Sequence, residues 1–482
     1  MTAASTIASI ASRLSFPSLL GLASCVAVSL FVVGGPATAQ SLTALATFGN
    51  TTPGWRQPGE PLPGDVSGTN DGFSYYFMQA SNNERGLAFG NGHLYLISHA
   101  NVNGSTANVR ILDATTGADL GGLDATGVAG GTFAVNAGAV GSDGTIYVAN
   151  LTTQSTTTPF TVYKWASEAA VPVVAYSGDA SLPGSRVGDS LAGFASGAST
   201  RIAAGYSNNP SVPGNNGYAV VDPTAVTATA VGFATTPPNA GDFRLGLAFA
   251  DASHIFTKPI GVNPLHYTSY SGSTGTLISS AAMPAAASAE TELAYTVLNG
   301  TPLLATQSAG DSHISVYNVA DPASPLLLAT AAGLTGIPTN LNNTGQIAWG
   351  TATINPDGSA TQNLYGMRTN GGIRAFTFTL PAPGVDGDYN GNGVVDAADY
   401  ALWRKNDGLT GGATKAQGDG NGDGNVNSLD YDYWRARFGN PPGSGSGQLA
   451  STTNAVPEPS TVAMLLMSLL FSASSIARRV RS

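Results

Sequence analysis

The feature that most constrains this chain is a pattern of acidic and amide residues that occurs twice between Asp386 and Gly439. Each residue of the first copy has its counterpart 31 positions later, so that Asp388 corresponds to Asp419. In each copy, oxygen-bearing side chains occupy positions 1, 3, 5, 9 and 12 of a twelve-residue loop, and position 7 can offer a backbone carbonyl. These residues are Asp388, Asn390, Asn392, Val394, Asp396 and Asp399 in the first copy and Asp419, Asn421, Asp423, Asn425, Asn427 and Asp430 in the second.

This arrangement of donors predicts two calcium sites. A hard cation takes six to eight oxygen ligands, and a glycine at position 6, here Gly393 or Gly424, allows the sharp turn that gathers them. Position 12 is aspartate rather than glutamate in both copies, so the closing carboxylate reaches from a shorter side chain. The alternative is a pair of metal-free Asx turns. Two complete loops in a fixed repeat, each followed by the same DYxxWR segment, favour Ca2+.

The segments that enter the loops distinguish between two calcium architectures. Residues 380–384 and 408–412 are rich in proline and glycine, which interrupt helices, so each unit is predicted to be a loop followed by a helix. A duplicated loop-helix of this kind resembles a type I dockerin module, here over residues 384–439. We expect Trp403 and Trp434 to pack against each other's loops.

The dockerin resemblance implies a cohesin domain as partner, and in that family the module often tethers glycan-degrading enzymes to a scaffold. The residues that the family uses for docking lie just before and along each helix. The matching positions here are Ala397, Ala398, Ser428 and Leu429, which lack the paired hydroxyl side chains of well-known cohesin binders.

The N-terminal segment predicts export. Residues 1–39 contain Arg13, a long apolar run and the small-residue site Ala37-Thr-Ala39, as in a signal peptide cleaved by signal peptidase; a permanent anchor is the alternative. The only cysteine, Cys25, lies in this segment, so cleavage would leave a chain without disulfides. The net charge of −10 argues against nucleic acid as a partner.

Residues 40–383 predict a mainly β structure. Short strands alternate with Gly, Asn, Asp and Pro turns, and segments repeat: Gly86–Tyr95 aligns with Gly138–Tyr147, and Arg85–Phe89 returns as Arg244–Phe249. Units of roughly 40 to 50 residues are typical of propeller blades, and this region would hold six or seven. A pair of β-sandwiches is the alternative. Five strands fall at a comparable place in successive units: Val109–Leu112, Thr161–Trp165, Tyr218–Val221, Ile314–Tyr317 and Ile373–Phe376.

The C-terminal residues resemble a known sorting signal. After a flexible linker at 440–455, the motif Val456-Pro457-Glu458-Pro459-Ser460 precedes an apolar run at 461–477 and an arginine-rich end. This tripartite tail, residues 456–482, resembles the PEP-CTERM signal, which implies processing by an exosortase-type transpeptidase of the inner membrane. Physically, the run is just long enough to cross a bilayer, and a plain C-terminal membrane anchor is the alternative.

No catalytic residue is predicted, because HExxH, GxSxG and P-loop motifs are all missing from the sequence. His93 and His99 would make only an incomplete metal site. Glu84 with Arg85, and Glu290 with Glu292, are the carboxylate groups most similar to an acid-base pair, although ion pairing explains them equally well. Five aromatic residues could stack on sugar rings or pack in the core: Trp55, Tyr75, Tyr76, Trp165 and Tyr267.

Together these features predict an exported, non-enzymatic protein of the cell surface or extracellular matrix. Two alternatives belong to other functional classes. One is a carbohydrate-active enzyme that degrades polysaccharide and carries a dockerin. The other is an adhesin that binds extracellular polysaccharide without turnover.

Overall fold

The computed structural model describes residues 40–66, 81–102, 104–180, 185–207, 216–233, 243–259, 264–283, 290–356, 358–382 and 384–440. The predicted signal peptide with Ala37 and Ala39, nearly all of the linker and the sorting tail with residues 456–460 lie outside these ranges. Tyr75 and Tyr76 also lie outside them.

The described part of residues 40–382 consists of strands that follow one another in antiparallel four-stranded units. Two strands precede the first unit: β1 (Ser41–Ala44) and β2 (Trp55–Arg56). The first unit contains β3 (Glu84–Gly90), β4 (His93–Ser98), β5 (Asn108–Asp113) and β6 (Asp119–Gly122). The second contains β7 (Phe133–Val140), β8 (Ile146–Leu151), β9 (Phe160–Trp165) and β10 (Val173–Gly178).

In the third unit, the short strands β11 (Arg186–Val187) and β12 (Ala192–Phe194) pair with successive parts of β13 (Arg201–Ser207) and together take the place of the first strand. They are followed by β13, β14 (Gly217–Asp222) and β15 (Thr227–Phe233). The fourth contains β16 (Gly246–Phe249), β17 (His254–Lys258), β18 (Pro264–Ser271) and β19 (Thr274–Ala282). The fifth contains β20 (Glu290–Leu298), β21 (Thr301–Ser308), β22 (Ile314–Asn318) and β23 (Leu326–Ala331). The last contains β24 (Gly345–Ile354), β25 (Ala360–Arg368) and β26 (Gly372–Leu380).

Strand β1 supplies the fourth strand of the last unit. It pairs antiparallel with β26, with Leu42 opposite Phe378, so the beginning and the end of this region share one sheet. The third and fourth units also touch edge to edge, because β15 and β19 pair in parallel at Gly232–Thr274 and Phe233–Gly275. The five strands that the sequence placed at equivalent positions are β5, β9, β14, β22 and β26, each the third strand of its unit, which confirms that part of the prediction.

Apolar side chains fill the space between consecutive units rather than the space within two stacked sheets. One cluster joins Tyr95 and Ile97 of the first unit to Val148 and Trp165 of the second. Corresponding clusters join each following pair of units. A further cluster joins Met367 of the last unit to residues such as Leu87 of the first, which closes the ring. The described strands therefore form a propeller-like arrangement, and not the pair of sandwiches that the sequence left open.

The first strands of the units surround a central channel with a cavity of about 240 Å3. Most of these strands carry a large apolar residue, then alanine, then an aromatic residue, and the small alanine allows the strands to approach one another. The channel-lining segments are Leu87–Phe89, Gly138–Val140, Leu191–Gly193, Leu247–Phe249, Leu293–Tyr295 and Gln346–Trp349.

The Gln346 side chain bridges three of these inner strands. Its amide nitrogen donates to the carbonyls of Gly138, at 2.8 Å, and Leu191, at 3.1 Å. Its Oε1 accepts from the amides of Leu87 and Gly138, both at 3.0 Å. An innermost strand has no neighbour on its channel side, so these backbone groups would otherwise lack a protein partner. Gln346 therefore supplies the hydrogen bonds that another strand would make.

Residues 384–440 form a small helical module. Its helices are α1 (Ala397–Asn406) and α2 (Ser428–Arg435). A single 3-10 turn, Lys415–Gln417, lies in the segment that leads to the second loop. This agrees with the predicted order of loop followed by helix.

Candidate metal centre

The chain of each loop wraps around the carboxylate at position 1. Asp388 accepts hydrogen bonds from the backbone amides of Gly391, at 2.7 Å, Asn392, at 3.2 Å, and Gly393, at 2.7 Å. Asp419 accepts from Gly422, Asp423 and Gly424 in the same order, at 2.8, 3.1 and 2.8 Å. The two loops thus have the same local fold, as their matching sequences predict.

The carboxylate at position 12 closes each loop from the first turn of the following helix. Asp399 is fully buried and accepts from the amides of Tyr389, at 2.8 Å, Asn390, at 3.0 Å, and Asp396, at 2.8 Å. Burial raises the pKa of Asp399, and the nearby charge of Asp388 adds to this rise. Asp430 makes the equivalent bonds in the second loop.

The side chains at position 9 act as helix caps. Asp396 accepts from the Ala398 amide at 2.7 Å, and Asn427 accepts from the Leu429 amide at 2.8 Å. Each of these residues also forms a capping box with the aspartate at position 12. The same side chains that were predicted to bind metal therefore also start the helices.

The loops fit calcium by the chemistry of their donors. Asp388 and Asp399 are both buried, and neither forms a salt bridge with a lysine or arginine of the described residues. Buried like charges without a counterion are unfavourable, and a divalent cation would compensate them. Within the described ranges, no three His, Cys, Asp or Glu side chains gather as a metal site. Calcium bound in a loop would neutralise the buried carboxylates of that loop.

The two repeats are joined by reciprocal tryptophan contacts. The Trp403 indole of α1 donates to the Asn427 carbonyl at 2.9 Å, and the Trp434 indole of α2 donates to the Asp396 carbonyl at 3.1 Å. Each helix therefore holds the position-9 residue of the other loop. This confirms the expectation that the tryptophans pack against each other's loops.

The segment that follows each helix also pairs with the loop of the other repeat. Val426 donates to the Leu409 carbonyl and accepts from the Gly408 amide, both at 2.8 Å. Val395 donates to the Asn440 carbonyl and accepts from the Gly439 amide, also at 2.8 Å. Because each loop depends on backbone groups of the other repeat, the module is a single cooperative unit.

One contact in the module has no counterpart in the other repeat, and sequence reasoning missed it. The Tyr389 hydroxyl, at position 2 of the first loop, donates to the Asp430 carbonyl at 2.8 Å. The equivalent position in the second loop is Gly420, where a Cβ would collide with that hydroxyl. The sequence does contain a signal for this contact: position 2 is tyrosine in the first loop and glycine in the second.

The residues that match the docking positions of dockerins are accessible. Ala397 and Ala398 lie in the first turn of α1, and Ser428 and Leu429 lie in the first turn of α2; all four are exposed. Leu429 is 59% exposed, which is unusual for a leucine in a small module with its own core.

The other candidates from the sequence do not form a shared site. His93 contacts Glu168 at 2.7 Å, whereas His99 lies beyond the end of β4 and stacks on Phe133 at 4.0 Å. The two histidines therefore have different surroundings.

The two carboxylates of β20 have different surroundings, because a bulge separates them. Glu290 accepts hydrogen bonds from Thr306 at 2.7 Å and Ser315 at 2.8 Å, and it contacts His313 at 3.0 Å. Glu292 is buried, and within the described part of the chain neither of its oxygens has a hydrogen-bond partner. Burial raises the pKa of Glu292 to about 8.

Of the aromatic candidates that lie in the described ranges, Trp165 is buried, and Trp55 and Tyr267 are partly exposed. Trp165 is fully buried and donates to the Asp124 carbonyl at 2.7 Å, so it is not available for a sugar. Trp55 donates to the Gly371 carbonyl at 2.9 Å, and Tyr267 stacks on His254 at 5.3 Å.

Comparison with solved structures gives several remote likenesses. A DUF4623 family protein from Bacteroides eggerthii is 16% identical, with a TM-score of 0.47 over 68% of this chain and 77% of that one. The PQQ-bound aldose sugar dehydrogenase of Streptomyces coelicolor is 15% identical, with a TM-score of 0.37 over 62% and 95% of the two chains. The allergen Mala s 1 of Malassezia sympodialis is 10% identical, with a TM-score of 0.37 over 61% and 92%. A comparison with curated proteins gave no significant match.

No helix within the described ranges is long and apolar enough to cross a membrane, and the expected C-terminal helix at 461–477 falls outside those ranges.

Comparison with protein families gives a specific result for the helical module. Residues 386–436 match the dockerin type I domain, in agreement with the resemblance seen in the loops. Domains of this family bind calcium and dock onto cohesin domains. The module at residues 386–436 therefore belongs with the type I dockerins, which implies cohesin docking in an extracellular or cell-surface protein.

Proposed function

We propose that this chain is an exported, non-enzymatic surface or matrix protein whose dockerin-like module folds on two calcium ions and docks or spaces the propeller-like domain. We assign six blades to that domain, one for each four-stranded unit. Signal peptidase would act after Ala39, and an exosortase-type enzyme would act at residues 456–460. These two processing steps rest on sequence resemblance alone.

The proposal rests on one observation: the side chains predicted to bind calcium also begin the two helices. Asp396 and Asn427 cap the helices while Asp399 and Asp430 close the loops, so loop and helix share the same side chains. Metal binding that fixes these residues would therefore also fix the start of each helix. The reciprocal indole bonds then couple one loop to the other.

The exposed first turns of the helices are the proposed docking surface. Ala397, Ala398 and Leu429 present apolar side chains at positions where other dockerins present paired hydroxyls. A partner cohesin should therefore offer an apolar patch rather than a row of hydrogen-bonding groups. Leu429 occupies position 11 of the second loop, and replacing it with Asn would weaken such a contact while keeping every predicted metal-ligating side chain.

Calcium titration of the purified chain tests the proposal. We expect two sites by calorimetry, together with a gain of helical circular dichroism. The double variant Asp388→Ala and Asp419→Ala should bind no calcium, and residues 386–439 should become sensitive to protease while the β signal persists. A control with the same change of charge is Asp407→Ala with Asp432→Ala, which lies in the same module but outside the loops. Unchanged protease resistance in the loop variant would contradict the proposal.

A further inference from the structure

Three arginines from different parts of the propeller-like domain surround one buried carboxylate. The carboxylate belongs to Asp189, which precedes strand β12. Arg186 binds it through two contacts, at 2.5 and 2.7 Å, and Arg244 lies at 3.3 Å. Arg85 of β3 lies at 4.0 Å. We call Arg85, Arg186, Arg244 and Asp189 the arginine cluster.

The arginine cluster carries an excess of positive charge. Although burial opposes ionisation, hydrogen bonds and charges from the surrounding arginines lower the pKa of Asp189, so it holds one negative charge. Of the described residues, the other nearby acid is Glu84, whose pKa burial raises to about 8. Among these residues, three guanidinium groups face one carboxylate, or two when Glu84 is ionised, which leaves at least one positive charge without a negative partner.

Arg85 has hydrogen-bonding capacity that the protein does not use. Its Nε donates to Asn136 Oδ1 at 3.0 Å, but among the described residues neither terminal nitrogen has a hydrogen-bond partner. The side chain is 1% exposed, and a buried guanidinium with two unsatisfied nitrogens is costly. The Arg85 charge also helps to lower the pKa of His99, after the larger effect of burial, so this histidine adds no further positive charge.

The arginine cluster is accessible from solvent at its outer edge. The side chains of Arg186 and Arg244 are 30% and 24% exposed, whereas Asp189 is fully covered. Arginine pairs with planar or tetrahedral oxyanions through parallel N–H donors, and partial burial strengthens such contacts. The protein as a whole is acidic, with a net charge of −10, so a local positive site of this kind is unlike its general surface.

We propose that the arginine cluster binds an oxyanion, namely the carboxylate or sulfate group of a small acidic ligand. Arg186 and Arg244 form the exposed rim of this site, and Arg85 is the buried donor behind it. The site lies entirely in the propeller-like domain, so it is independent of the calcium module and of its partner.

Thermal unfolding and calorimetry of the purified chain test this site with two probes, sodium sulfate and sodium galacturonate, against sodium chloride at equal ionic strength. We expect each oxyanion to raise the unfolding temperature beyond the effect of chloride. Arg244→Gln should weaken binding by about tenfold or more, since one charge-assisted contact is lost. Asp189 stays paired with Arg186 in this variant, so the domain should remain folded.

The matched control is Arg201→Gln, which removes an arginine of similar exposure that pairs with Asp222 at 3.1 Å elsewhere in the domain. It should bind both probes as the wild type does. Binding of sulfate alone would restrict the ligand to sulfate esters, and binding of galacturonate alone would restrict it to carboxylates. A shift no larger than that of chloride, or an equal shift in the Arg244 variant, would refute the site.

Discussion

Replacing Gln346 with methionine should strongly destabilise the propeller-like domain, although this residue lies on the channel wall and not in the core. Methionine keeps the volume of the side chain but removes all four hydrogen bonds to the strands at Leu87, Gly138 and Leu191. A net value of about 1 kcal/mol for each bond gives a loss of about 4 kcal/mol. The adjoining cavity admits water to the freed backbone groups, so we do not add a full penalty for burying them unsatisfied.

The control for this substitution is Gln362→Met in β25. Gln362 is buried, whereas Gln346 is partly exposed, and the Gln362 amide makes two hydrogen bonds, to Gly350 at 3.0 Å and from Thr296 at 3.3 Å. The expected loss is about 2 kcal/mol by the same reasoning. Equilibrium denaturation followed by circular dichroism in the β region measures both variants.

The difference in unfolding free energy between the two variants tests whether the bridging hydrogen bonds of Gln346 hold the inner strands together. If Gln346→Met unfolds within about 1 kcal/mol of the wild type while Gln362→Met is destabilised, the bridging bonds do not hold the inner strands together. A loss of cooperativity in the Gln346 variant alone would instead show that the bonds couple the units.

Two further predictions concern a buried acid and the repeat contact of the module. Stability should fall as the pH rises from about 5 towards 8, because the folded state keeps the proton of Glu292, whose pKa burial raises from 4.5 to about 8. Glu292→Gln should flatten this decline in the unfolding temperature, whereas Glu168→Gln, a half-buried partner of His93, should not; an unchanged slope in the Glu292 variant would count against this assignment. Gly420→Ala should destabilise the calcium-loaded module by about 1–3 kcal/mol, because the new methyl group meets the Tyr389 hydroxyl. Calorimetric unfolding in a Tyr389→Phe background should show a smaller loss, and equal losses in both backgrounds would mean that the two residues are not coupled.

The calcium loops could be predicted from sequence because their information is local. The ligand positions, the turn glycines and the helix caps all lie within twelve residues of one another, and the repeat shows each feature twice. Even the packing of Trp403 and Trp434 followed from their equivalent places in the two copies. The backbone pairing of Val395 with Asn440 was not predicted, because backbone groups leave no signature in the residue types.

The propeller-like arrangement was only partly visible in the sequence. The strand pattern and the recurring third strand identified the units, because alternating burial on a sheet requires a period of two residues. The closure of the units into a ring could not be derived from the sequence. It depends on apolar packing between residues far apart in the chain, such as Leu87 and Met367. Four of the six inner segments contain an apolar residue, an alanine and an aromatic residue in succession. The other two segments have a glycine in this pattern, at Gly138 and at Gly193.

The polar sites of the propeller-like domain were beyond sequence reasoning. Arg85, Arg186 and Arg244 come from three units that are distant along the chain, and no motif connects them. Trp165 is a related case, since the sequence left sugar stacking and core packing both open and the structure places this residue in the core. Composition reveals which residue types are present, but only the fold determines which of them meet.

The pairing of β1 with β26 also sets an order of events in folding. The ring cannot close until Thr377 and Phe378 have reached Thr43 and Leu42, the residues that they face in the shared sheet. Until then, the first and last units each expose an apolar surface that later becomes buried. Contacts that span almost the whole domain form slowly and leave such surfaces open to aggregation. Loss of the few residues of β1 would therefore leave both units with an exposed face, although no unit would lose its own inner strands.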